Sequence, residues 1–235
     1  MSFLTAEWRK LAMANYFIDP QVLQSYLPAG VELDLYHGKC YVSLIGFMFQ
    51  NVRVLGVKIP NHVNFEEVNL RFYVRRKVNG NWRRGVVFVS EIVPKSVIQW
   101  VANTLYGEAY ETLPMRHEWK MNKDEISVDY QFKKNEEWQR FTVTASAKSQ
   151  PLIDHSPTQF ITEHYYGYSK GRGSKTTEYE VTHPQWKTYP VTDYTIQIDF
   201  QKVYGDNFGF LNAQSPDFVL LAEGSEITIE GKNSF

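Results

Sequence analysis

Residues 65–76 alternate more strictly than any other part of the chain. Val68, Leu70, Phe72 and Val74 fall on one face of an extended strand, and Glu67, Asn69, Arg71, Tyr73 and Arg75 on the other. Successive strand side chains point to opposite faces, so this segment must bury one face against a core. The pattern leaves open whether the polar face meets solvent or the inside of a closed sheet. Asn79-Gly80-Asn81 follows as a hairpin signal, and 85–92 returns as the partner strand.

The rest of the chain supplies further strands. Residues 8–18 read as a first strand with imperfect alternation. Asp19 caps, and Pro20 opens, a short helix carrying Val22, Leu23, Tyr26 and Leu27, which Pro28 and Gly30 end. Val31, Leu33 and Leu35 alternate with Glu32 and Asp34. A turn at 36–39 leads into 40–49, apolar on both faces as a central strand is. The best helix candidate is 94–105, with Val97, Trp100, Val101 and Leu105 at helical spacing and Gly107 as its cap. Strands are expected at 116–120, 126–132, 139–147 and 177–183. A short helix starts at Ser156-Pro157 and ends near His164, a mobile loop covers 167–175, and 219–222 and 227–229 form a closing hairpin about Gly224. The 15 Tyr, 15 Phe and 6 Trp suit this reading, because large flat side chains pack well on a pleated surface. With no repeat, low-complexity tract or linker, one domain over 1–235 is expected.

Charge and composition exclude several functions. Net charge is −1, from 25 basic and 26 acidic residues with no basic block, so nucleic acid is not an expected partner. No apolar run reaches the roughly 18–20 residues of a membrane-spanning helix. Glu7, Arg9 and Lys10 precede any hydrophobic run, unlike a secretory leader. The single cysteine, Cys40, has no internal partner, which points to a reducing, cytoplasmic setting.

Residues 65–75 resemble the signature of the YqjF-like family of uncharacterised bacterial proteins. Trp8-Arg9, the segment from Tyr26 to Asp34, the helix expected over 97–106, His183-Pro184-Gln185-Trp186 and Leu221-Ala222-Glu223-Gly224 fit it in order. That family looks related in fold to acetoacetate decarboxylase. The resemblance implies a mainly β (α+β) fold: an antiparallel, cone-like β-barrel with two or three short helices outside and a ligand cavity inside. The decarboxylase uses a lysine as Schiff-base nucleophile, following a Gly-x-Pro segment after the outer helix. The matching stretch here is Gly107-Glu108-Ala109-Tyr110-Glu111, and neither Tyr110 nor Glu111 can form an imine.

The candidate ligand-binding residues follow from these two readings. If the polar face of 65–76 is lumenal, Glu67, Asn69, Arg71 and Tyr73 can hold an anionic or carbonyl ligand, since arginine offers a fork of donors that matches a carboxylate. The alternative is a solvated face laced with cross-strand ion pairs. Tyr110 and Glu111 are acid–base candidates if they enter the cavity, and Lys95 is a weaker Schiff-base candidate. His155, His164 and His183 lack the tight spacing of a zinc site and read as surface or capping residues. Cys40 reads as a small hydrophobe. Gly171-Arg172-Gly173-Ser174-Lys175 lacks the strand and helix that a phosphate loop needs. No metal or cofactor is expected. The functional readings, in order, are a barrel binding a small organic ligand that carries a carbonyl or carboxylate, a decarboxylase- or lyase-type enzyme using other residues, and a structural or partner-binding protein. A homo-oligomer is expected by analogy with the decarboxylase alone.

Overall fold

The computed structural model describes residues 2–95, 109–171, 173 and 175–235. Within them the chain is mainly strand, with a few short helices. Strands β1 (Leu4–Phe17), β3 (Tyr41–Val54), β4 (Phe65–Val78) and β5 (Asn81–Val93) pair antiparallel in that order, and the short β2 (Glu32–Leu33) joins the end of β4. β6 (Tyr110–Thr112) and β10 (Tyr166–Lys170) lie parallel to β5. β11 (Thr176–Thr182) continues from β10, and β14 (Phe218–Ile229) flanks β1. β11 also pairs with β14 at Val181↔Ile229 and Thr182↔Thr228, so the path β14-β1-β3-β4-β5-β10-β11 returns to its start. That seam is too short to make a formal barrel, and the result is a ring of strands. β12 (Thr188–Tyr189) and β15 (Asn233–Ser234) add short edges to β14 and β11.

A second antiparallel sheet, in the order β13-β9-β8-β7, consists of β7 (Met115–Met121), β8 (Glu125–Lys134), β9 (Glu137–Ser146) and β13 (Val191–Gln197). Its alternating Ile126, Val128, Tyr130 and Phe132 share one core with Val68, Leu70, Phe72 and Val74 of β4. Each aliphatic or aromatic side chain so buried contributes about 1.5–3 kcal/mol. This sheet therefore covers the outside of the ring, and the polar face of β4 turns inward. A separate core inside the ring includes Leu11, Met13, Ile45, Phe47, Phe65 and Tyr73.

The imperfect alternation of β1 has a local cause. Its register against β3 shifts between Arg9 and Ala12, and Lys10 adopts φ 56°. Ala6 faces the inner core ahead of this bulge, and Leu11 and Met13 do so after it, so the inward parity changes from even to odd. A bulge inserts one residue and makes that exchange. Gly224, with φ 81°, pairs with Arg9 at the same place.

Three sequence expectations are corrected here. The closing hairpin about Gly224 is instead one continuous strand, because the positive φ of that glycine accommodates the bulge of β1 and makes no turn. The loop expected over 167–175 is strand as far as Lys170, held by the fully buried Tyr168, whose hydroxyl donates to the Arg83 carbonyl at 3.3 Å. The strand expected over 31–35 is reduced to Glu32–Leu33. The helix starts behave as read: Asp19 Oδ1 accepts from the Gln21 N–H at 2.9 Å, and Ser156 Oγ accepts from the Gln159 N–H at 3.1 Å. A short helix at Phe200–Tyr204 and 3₁₀ turns over Asp206–Ala213 have no counterpart in the sequence reading. The helix expected over 94–105 lies, from residue 96 onward, outside the described residues, as does Gly107. Among the described residues no helix is long and apolar enough to cross a membrane.

Candidate functional site

The inside of the ring holds a cavity of about 60 Å³. That is room for a few water molecules. Trp8, Phe47, Phe49, Phe88 and Trp186 make its apolar wall, and Glu67, Asn69, Arg71, Glu91, Tyr110 and His164 its polar one.

Three of these residues come from alternate positions of β4. Glu67, Asn69 and Arg71 are 2%, 1% and 8% exposed, values that rule out the solvated-face alternative for this part of the strand. Asn69 Nδ2 donates to Glu67 Oε1 at 2.8 Å, and the Tyr110 hydroxyl donates to Glu67 Oε2 at 3.2 Å. The Glu67 carboxylate is thus met from two sides. Glu91 stands directly across the strand pair from Asn69. Arg71 makes no hydrogen bond or ion pair among the described residues, and its guanidinium carbon lies 5.7 Å from the centre of the Tyr73 ring. Trp8 Nε1, Asn69 Oδ1, Arg71 Nε and His164 Nδ1 are buried polar atoms with no partner among the described residues. Buried polar groups are nearly always hydrogen-bonded, so these four atoms give the cavity wall hydrogen-bonding capacity that the protein itself does not use.

The other predicted residues part company. Tyr73 lies beside the cavity wall; its hydroxyl meets Ser43 Oγ at 2.7 Å, and that serine donates to Asn15 Oδ1 at 2.6 Å. Glu111 follows Tyr110 in β6 and so points the opposite way, where Lys134 Nζ binds both its oxygens at 2.6 and 2.8 Å. Arg75, near the exposed end of β4, pairs with Glu32 and covers the Trp82 ring at 4.2 Å. Lys95 is half-buried, near Glu66, whose carboxyl burial would raise but the His117 bond holds low, the Lys95 charge adding a little. Burial pushes the Cys40 thiol up to about 11, as for an inert core cysteine. His155 is exposed. No group of three or more His, Cys, Asp and Glu among the described residues is placed to hold a metal ion.

Two histidines expected at the surface or as caps are buried instead, His183 in the cavity wall and, with more consequence, His164. It is not at the surface: its side chain is fully buried, and Nε2 lies 3.2 Å from Asp34 Oδ2. Arg84 Nε donates to the same Asp34 oxygen at 2.6 Å. Burial alone would raise the Asp34 carboxyl, but the bonds from His164 and Arg84 outweigh it and hold it low. Burial lowers His164 to about 4; the Asp34 bond opposes this, and the Arg84 and Arg71 charges add to it. The imidazole is therefore neutral at physiological pH. Burial also lowers His183, which stacks on Trp186 with ring centres 4.2 Å apart and shares the cavity wall. A lone Asp34 ending an alternating segment, and a histidine just past a helix, were the available sequence signals. Neither says that the two meet.

The chain belongs to the DUF2071 family, described as an uncharacterised conserved protein, whose model matches residues 5–226. The uncharacterised protein YqjF of Bacillus subtilis (strain 168) is 27% identical over 183 residues, which is 76% of this chain and 72% of YqjF. Among solved structures, acetoacetate decarboxylase from Legionella pneumophila superposes with a TM-score of 0.67 at 12% identity, covering 99% of this chain and 86% of the enzyme. The enduracididine biosynthesis enzyme MppR complexed with pyruvate superposes with a TM-score of 0.68 at 14% identity, covering 100% of this chain and 91% of MppR. At such identities the likeness shows the fold, which is that of the acetoacetate decarboxylase-like enzymes.

Proposed function

Taking membership of the DUF2071 family as the premise, we propose that the ring interior binds a small organic acid whose carboxylate is taken by Arg71, without an imine. The observation that carries this reading is the state of Arg71: a buried guanidinium with no ion pair among the described residues. A buried charge is costly unless paired, and a carboxylate matches the planar donor fork of arginine. Glu67, on the same strand face, makes no ion pair with Arg71 and is held instead by Asn69 and Tyr110. Trp8 Nε1 offers a further donor from the facing wall. MppR is a protein of the same fold whose structure is complexed with pyruvate, an acid of this size class. Tyr110 and Glu111, at the positions matched to the decarboxylase lysines, have no amine to condense with a carbonyl, which supports non-covalent binding.

Calorimetric titration with propionate and pyruvate tests the reading. The wild-type chain binds, and Arg71→Gln weakens binding about tenfold or more, the loss expected for a hydrogen bond to a charged group. Arg71→Gln also leaves the melting temperature equal or higher, since removing an unpaired buried charge relieves its desolvation. Borohydride added with pyruvate leaves the protein mass unchanged. Equal affinity in wild type and Arg71→Gln, or a reduced adduct, defeats the proposal.

A further inference from the structure

Resting on the Arg71 reading, we propose that His164 makes the cavity selective for hydroxy acids: with the carboxylate on Arg71, His164 Nδ1 accepts a hydrogen bond from the ligand's hydroxyl. The two groups flank the same ring. The Arg71 guanidinium carbon lies 5.7 Å, and the His164 ring centre 4.7 Å, from the centre of the Tyr73 ring, and both residues line the cavity. Tyr73 is itself held by Ser43, which donates to Asn15, so the ring that both groups border has a fixed place.

The tautomer follows from what surrounds the imidazole. Nε2 faces the Asp34 carboxylate, which only accepts, so Nε2 carries the hydrogen. Arg84 Nη2 also lies 3.3 Å from Nε2 and by itself favours the opposite tautomer, but the Asp34 contact is the shorter, at 3.2 Å, and is to a charged acceptor, so it decides. A neutral ring with hydrogen on Nε2 presents a lone pair at Nδ1. That atom diverges from the Asp34 bond and is buried with no partner among the described residues. The ring plane is held by Phe160 at 5.1 Å, nearly perpendicular, and by Tyr73. A fixed lone pair accepts from a hydroxyl and repels a carbonyl oxygen. Hydroxy acids are therefore favoured over the 2-oxo acids of the same size, and over acids bearing neither group.

Three-carbon acids separate these cases, because propionate, pyruvate and lactate differ chiefly at one carbon. Titrated into the full chain at neutral pH, one enantiomer of lactate binds about tenfold tighter than propionate or pyruvate, the discrimination a satisfied buried acceptor supplies. In His164→Phe that preference is lost and lactate falls to the level of propionate. In His164→Asn, whose amide oxygen can stand near the former Nδ1, part of the preference returns. In ¹⁵N-labelled wild-type protein the His164 Nδ1 resonance lies in the unprotonated range. Pyruvate binding tighter than lactate, or lactate preference persisting in His164→Phe, overturns the proposal. If propionate binds through Arg71 but lactate only equals it, this inference fails alone. If no acid binds, the Arg71 reading fails and this one with it.

Discussion

Gly224→Ala is expected to destabilise the protein by about 3–5 kcal/mol, among the largest effects of any single methyl group in the chain. A Cβ at this position would lie 1.9 Å from the Trp8 carbonyl oxygen, far inside contact distance and against backbone that cannot rotate away. The φ of 81° adds a conformational cost, but that part is small and separable. Gly80 has φ 85° and open space within 4 Å of where a Cβ would stand, so Gly80→Ala measures the conformational cost alone, about 1 kcal/mol. The difference between the two variants in urea unfolding isolates the clash. Its consequence extends beyond stability, because Gly224 sits opposite the bulge that exchanges the inward and outward faces of β1. Strands that lose a bulge slip by one residue and invert their faces. Trp8 and Leu11, which both face the cavity across that exchange, cannot both do so without it. Equal costs for the two substitutions would show that the close approach at Trp8 yields easily.

A sequence shows a contact only as far as the interaction behind it is local. The alternation of β4 was plain in its residues, and so was the division into an apolar and a polar face. Which face is lumenal was not, because a period of two shows that faces differ and not what covers them. The cover is β8, whose own apolar stripe lies some way along the chain and packs on Val68, Leu70, Phe72 and Val74. Tyr110 and Glu111 stand together in the stretch that resembles the decarboxylase's lysine segment, and the strand pleat separates them, one to Glu67 and one to Lys134. His164 and Asp34 are 130 residues apart, with nothing local to tie them. Glu91 lies in the mostly apolar stretch 85–93, and only pairing sets it opposite Asn69. The fold was thus legible through local patterns and the order of family-like segments. The site was legible only on the strand where its residues are neighbours.

Acidification is expected to weaken the fold through His164. Its folded value of about 4 lies below the ordinary 6.5, so between these limits the unfolded chain binds a proton that the folded chain does not. Stability is then unaffected above about pH 6.5 and falls as pH drops towards 4, by on the order of 3 kcal/mol over the whole window and about 2 kcal/mol by pH 5. The groups facing the imidazole set this direction. Arg84 and Arg71 repel its protonated form, Asp34 favours that form, and Phe160 and Tyr73 offer no solvation, so burial prevails. Asp34 acts in the same direction but in another window: its folded value is depressed, so its contribution is lost only as pH falls below the ordinary aspartate value of 3.8. His183, also lowered by burial, acts in the same direction, so part of the loss below pH 6.5 belongs to it. The informative quantity is therefore the difference between wild type and His164→Phe, in urea unfolding at about pH 7 and about pH 5. The wild type loses about 2 kcal/mol more than the variant over that interval. An identical loss in both proteins would mean that His164 keeps a solvent-like affinity for protons, and so that its place behind Asp34 is not the dry one described.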